Sequence, residues 1–116
     1  MTRCLPAKAQ AVQYANDLNA QQSGSLELLV GMQYQGRDDT MQYVSNFKFR
    51  DMDCSEALCL STSPAAHTVA EALASKSAHG QLLQGTDYRG KEIIMAANIM
   101  PELDIAFLLK LDLSEA

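Results

Sequence analysis

The stretch GTDYRGKEIIMAA, residues 85 to 97, sets Asp87, Tyr88, Arg89 and Lys91 around Gly90, just ahead of an apolar run. A carboxylate, a phenol, a guanidinium and an amine this close together are the groups that grip an anion or move a proton. A phosphate-binding loop, however, needs several glycines whose backbone N–H groups converge at a helix start. Gly85 and Gly90 instead flank what reads as the end of a strand. The segment YRGK has the length and the glycine of a hairpin turn, so its charges are expected to be a solvated hairpin tip.

The other reactive residue types form no constellation. His67 and His79 lie twelve apart with no short His/Asp/Glu cluster to complete a metal shell, and singly each reads as a surface or capping residue. Ser61, Ser63, Ser75 and Ser77 lack the Gly-x-Ser-x-Gly setting of an exposed nucleophile. Cys4, Cys54 and Cys59 fit no zinc pattern. Cys54 and Cys59 could close a small disulfide loop in an oxidising compartment, contributing about 2 kcal/mol by the chain-entropy model; free thiols in a reducing compartment fit the sequence equally well. No enzyme, metal or cofactor is expected.

Binding is the more natural expectation. Tyr34, Tyr43, Phe47 and Phe49 could line the concave face of a sheet, where Arg50 and Asn98 could orient a ligand. His67 and Tyr88 complete the candidate ligand contacts. Such a pocket should lie between that sheet face and the segment from residue 50 to residue 80, the longest excursion from the sheet. A formal charge of -5 and the lack of a Lys/Arg cluster argue against a nucleic-acid partner.

The elements that must position these residues follow from periodicity. One domain is expected from 116 residues that are 47% hydrophobic. Ala7, Ala11, Tyr14, Ala15 and Leu18 recur at helical spacing from Pro6 to about Asn19, a small-residue stripe suited to close packing on the domain or on a copy of itself. Leu26, Leu28, Val30, Met32 and Tyr34 then alternate with Glu27 and Gln33, which predicts a half-buried strand with Glu27 on its outer face. Residues 41 to 49 form its antiparallel partner, and SPAAHTVAEALAS predicts a helix with Ser63 at the N-cap and Pro64 in its first turn. Strands follow over 81–88, 92–100 and 103–113; the last, with Leu103, Ile105, Phe107, Leu109, Leu111 and Leu113 on one face, is expected to be central. The fold class is α+β, with a five-stranded antiparallel sheet, a long N-terminal helix over 1–20 and a short helix between strands two and three.

The C-terminal third, GTDYRGKEIIMAANIMPELDIAFLLKLDLSEA, resembles the end of PAS-like, single Cache-type sensor domains of bacterial receptors. The resemblance rests on the Asp87 to Gly90 turn, the apolar strand Ile93 to Ala97, Pro101, and the ending Lys110, Asp112, Glu115, Ala116. Over 24–116 it extends to the order of elements. It implies a single PAS-like domain that senses a small molecule or partner protein on the extracytoplasmic, periplasmic face of the inner membrane. Its parent would be a membrane-anchored histidine kinase, diguanylate cyclase or chemoreceptor. It further implies that the chain is a soluble fragment from between two membrane spans, with Met1 an added start, and that the N-terminal helix pairs with its copy. The alternatives are a cytoplasmic PAS-like or profilin-like dimerisation module and, more remotely, a small enzyme built on the Tyr88 and Arg89 turn.

Overall fold

The computed structural model describes residues 7–54, 56–75 and 80–116; Cys4, Pro6, Ser77 and His79 lie outside this set. Helix α1 (Ala7–Gln21) leads into strands β1 (Glu27–Gln33), β2 (Met41–Tyr43) and β3 (Cys59–Ser61). Helix α2 (Pro64–Ala74) follows, then β4 (Gly80–Thr86), β5 (Glu92–Met100) and β6 (Ile105–Asp112). All strand pairs are antiparallel, in the order β3-β2-β1-β6-β5-β4. The α+β class and the central position of the last strand are as expected. The five-strand count is not: Cys59–Ser61, from the polar excursion, adds a sixth strand beside β2, so α2 lies between the third and fourth strands.

The two helices cover opposite faces of the sheet. Ala11 and Ala15 of α1 pack against Leu28, Val30 and Ile105. Val69, Ala70 and Leu73 of α2 pack against Leu29, Met41, Met95, Ala97 and Leu108. The small-residue stripe of α1 is thus used on its own sheet, while Tyr14, expected within that stripe, is 61% exposed. Helix α2 starts as its sequence demands, with Pro64 in the first turn and the Ser63 hydroxyl accepting from the Ala66 N–H at 3.2 Å.

Covering both faces changes which residues of the central strands are buried. Strand β1 is buried on both sides, and Glu27, expected outside, has no exposed surface. In β6 the expected apolar face is the less covered one, with Leu109 39% exposed, because α1 shields only the part of that face near Ile105. The opposite face, carrying Ala106, Leu108, Lys110 and Asp112, is buried: Ala106 and Leu108 lie in the α2-side core, and Asp112 meets Arg89 and Ser25. Strand β2 ends at Tyr43, earlier than expected. There Val44 still donates to the Val30 carbonyl at 2.9 Å, and Ser45 Oγ accepts from the Val30 N–H at 2.8 Å.

Candidate functional site

A cavity of about 350 Å³ lies between the α2-side face of the sheet and the chain from Phe47 to Ala66. This is the place expected from the long excursion. Its body is apolar, built by Leu29, Phe47, Leu58, Ile93 and Met95, with Tyr43, Arg50, Asp87, Tyr88 and Lys110 supplying polarity. Of the candidate ligand contacts, Tyr43, Arg50 and Tyr88 line this cavity. Tyr34 instead sits in the β1–β2 connection, its N–H bonded to the Thr40 carbonyl at 3.0 Å. His67 is on the exposed side of α2, where its Nε2 meets Glu71 one turn on at 2.9 Å. Asn98 is exposed on the opposite sheet face. Tyr34, His67 and Asn98 thus lie away from this cavity.

Asp87 and Lys110, which line the cavity, belong to an ionic cluster that extends beneath it. Lys110 on β6 and Glu27 on β1 are cross-strand partners, so their side chains rise together from the same face. Lys110 Nζ lies 2.7 Å from Glu27 Oε1 and donates to Asp87 Oδ2 at 2.6 Å. Arg89 bonds both Asp87, at 2.8 Å, and Asp112. Tyr88 completes the group by donating to Glu27 Oε2 at 2.8 Å and accepting the Phe49 N–H at 3.0 Å. The Lys48 N–H also donates to Glu27, at 2.6 Å. The hairpin charges are thus not a solvated tip. The β4–β5 turn, closed by the Gly90 N–H on the Asp87 carbonyl with Gly90 at φ +79°, folds Asp87 and Arg89 inward and leaves Gly90 and Lys91 outside.

Burial by itself would raise the Asp87 pKa, but the hydrogen bonds from Lys110 and Arg89 outweigh it and hold the carboxyl below its ordinary value. For Arg89, burial disfavours the cation, and Asp87 and Asp112 more than restore it. Burial, reinforced by the hydrogen bond to Glu27 and its charge, raises Tyr88, which therefore remains a protonated donor. Burial likewise raises Tyr43 against the opposing bond to Ser61.

Aromatic rings form one wall of the cavity. Phe47 stacks on Tyr88 with centroids 4.1 Å apart, and Tyr43 meets Phe47 edge-on at 5.6 Å. Lys110 Nζ lies 4.1 Å from the Tyr88 centroid, so its charge faces a ring as well as two carboxylates. Arg50 differs from the inner charges. It is exposed, lies 5.2 Å over the Tyr88 ring, and donates to the Tyr88 carbonyl at 2.9 Å. The rim is fastened by a disulfide between Cys54 and Cys59, with Cα atoms 5.6 Å apart.

Sequence reasoning missed Lys110 and Asp87 as residues lining the cavity, and Glu27 as the buried partner of Lys110 and Tyr88. The available signal was a lysine and two acids embedded in apolar strands, at Glu27, Lys110 and Asp112, where a charge needs a partner if both faces are covered. Among the described residues no group of three His, Cys, Asp or Glu is placed to hold a metal, and no helix is long and apolar enough to cross a membrane. Comparison with protein-family models, curated proteins and solved structures finds no match to this chain.

Proposed function

We propose that this chain is the sensing domain of a membrane-anchored bacterial receptor of the PAS-like Cache type, acting outside the cytoplasm and binding a small molecule in the Tyr43/Phe47/Tyr88 cavity. The observation that carries the reading is the cavity itself, an apolar and aromatic chamber between sheet and excursion with a guanidinium at its edge. The inner charges are matched to one another, and no buried side-chain polar atom among the described residues lacks a partner. The fitting ligand therefore has an apolar body and one hydrogen-bond-accepting or anionic group directed to Arg50. The Cys54–Cys59 disulfide supports an oxidising compartment. The order of helix, hairpin, helix-bearing excursion and three-stranded meander supports the resemblance.

Output would pass through β6. This strand carries Lys110, which lines the cavity, and ends beside the α1–β1 connection, where the Asp112 N–H donates to Ser25 Oγ at 2.9 Å and Glu115 accepts from Ser25. A ligand shifts this end only if it binds two arrangements of it unequally.

The test is a thermal-shift and calorimetric screen with small organic acids, amines and sugars. A ligand of the native cavity raises the melting temperature progressively with concentration. Arg50→Ala should weaken binding of an acidic ligand, and Ala65→Phe, which fills the wall, should abolish it. A hit whose binding survives Ala65→Phe, or the absence of any concentration-dependent shift, would overturn the reading. So would a parent gene lacking membrane spans on either side of this domain.

A further inference from the structure

The aromatic wall of the cavity has a polar station at each end. At one end Arg50 lies 5.2 Å from the Tyr88 centroid; Tyr88 then stacks on Phe47 at 4.1 Å, and Phe47 meets the edge of Tyr43 at 5.6 Å. At the other end the Tyr43 hydroxyl is bonded to Ser61, and Ser61 Oγ lies 3.3 Å from Ser63 Oγ. All of these residues line the cavity. Separate elements bring them there: the excursion after β2 carries Arg50, β3 ends at Ser61, and Ser63 caps α2.

Each station has bonding capacity to spare. Lys110, the other cation lining the cavity, is matched by Glu27 and Asp87. Arg50 donates to the Tyr88 carbonyl at 2.9 Å, and among the described residues no carboxylate pairs with it. Its guanidinium is a fork of donors suited to a carboxylate, and one bond leaves most of that fork open. The hydroxyls of Tyr43, Ser61 and Ser63 carry a proton each, and the links Tyr43–Ser61 and Ser61–Ser63 use all but one of them. Ser63 Oγ also accepts the Ala66 N–H at 3.2 Å, which consumes no hydroxyl proton. That remaining proton is available to an acceptor in the cavity.

Between the stations the wall favours a flat ring, since ring pairs gain from offset and edge contacts. Met52 and Met95 line the same space with thioethers, which also pack well on ring edges. A volume of about 350 Å³ is at the small end of ligand sites, which run from about 300 to 1,000 Å³. It suits one ring with a short polar group at each end.

We infer that the cavity takes a monocyclic aromatic acid with a hydroxyl on the side of the ring away from its carboxylate, the carboxylate on Arg50 and the hydroxyl oxygen accepting from the Tyr43, Ser61 and Ser63 group. The inference rests on the sensing reading and adds to it the class of ligand and the residues that select it. Ser61 is the specificity-determining position, because it joins the other two hydroxyls and lies on a strand that tolerates an apolar, β-branched replacement.

The experiment is calorimetric titration of the full chain with 4-hydroxyphenylacetate, phenylacetate, 4-hydroxyphenethyl alcohol and octanoate, repeated on Arg50→Ala and Ser61→Val. Wild type is expected to bind 4-hydroxyphenylacetate most tightly, phenylacetate about 3- to 10-fold more weakly, and the alcohol about 10- to 100-fold more weakly. In Arg50→Ala the gap between acid and alcohol should close while the gap between the two acids persists. In Ser61→Val the order of the two acids should reverse, since the ligand hydroxyl then meets methyl groups. Equal binding of the two acids by wild type, an unchanged order in Ser61→Val, or octanoate bound as tightly as 4-hydroxyphenylacetate would each overturn the inference. A compound of another class that binds best, and whose binding is lost in Ala65→Phe, would overturn it and leave the sensing reading standing. If no compound binds, both fall.

Discussion

Lys110→Met keeps an unbranched side chain of similar length while removing the charge between Glu27 and Asp87. The three side chains are 3%, 0% and 3% exposed, so water cannot replace the lost ammonium. Asp87 retains Arg89, but Glu27 is left with the Tyr88 hydroxyl and the Lys48 N–H. Breaking a buried pair from one side costs about 3–5 kcal/mol, mostly from the charge left behind. An unfolding entropy of about 2.1 cal/mol/K per residue gives this chain about 0.24 kcal/mol/K, so the melting temperature should fall by about 12–20 °C. The assay is urea unfolding at pH 7 by circular dichroism, without reductant so that the Cys54–Cys59 bond remains. Adding Glu27→Gln to Lys110→Met should recover part of the loss, because it removes the orphaned charge and keeps an acceptor for Tyr88. A loss below about 1 kcal/mol for Lys110→Met, or a double variant whose loss equals the sum of the two singles, would refute the account of Glu27 and Lys110 as a buried, mutually dependent pair.

Tyr88→Phe deletes a donor to Glu27 and an acceptor for the Phe49 N–H while keeping the ring on Phe47, and should cost about 1–3 kcal/mol in the same unfolding assay. Asp87 has a folded pKa below its ordinary value of 3.8, so its stabilising contribution is complete above that value and is lost as pH falls through the lower folded one. Acid titration of stability should accordingly show a decline beginning near pH 4 and continuing below it, with a shallower slope in Asp87→Asn. Replacing Cys54 and Cys59 together by serine should lower stability by about 2 kcal/mol, the loop-closure contribution of so short a ring, with reductant-treated wild type showing the same loss.

Much of the element order was legible because each segment carries its own period and punctuation. Ser63 and Pro64 mark the start of α2 unaided, and the alternation in 92–100 and 103–113 marks two long strands. Strand β3 was not legible, since Cys59–Ser61 is too short to show a period and exists only because β2 lies beside it. The cavity's location followed from chain economy, a long excursion that must cross a sheet face. The ionic cluster beneath it did not, because Glu27 and Lys110 are 83 residues apart and become neighbours only when the first and last strands pair at the centre of the sheet.

The turn from Asp87 to Lys91 shows where the division lies. Sequence by itself determined that a hairpin forms there, through a glycine that accepts positive φ between two strands. It also determined that a carboxylate, a phenol and a guanidinium sit at the turn. Only the tertiary structure decided that they point inward, because the direction of a side chain in a turn depends on what charge lies beneath it. Lys110 and Asp112, carried there by the pairing of β5 with β6, draw Asp87 and Arg89 out of water and make the turn part of the ionic cluster. Local periodicity encodes conformation one segment at a time, whereas the partner that makes a buried charge tolerable is supplied by a strand distant in sequence.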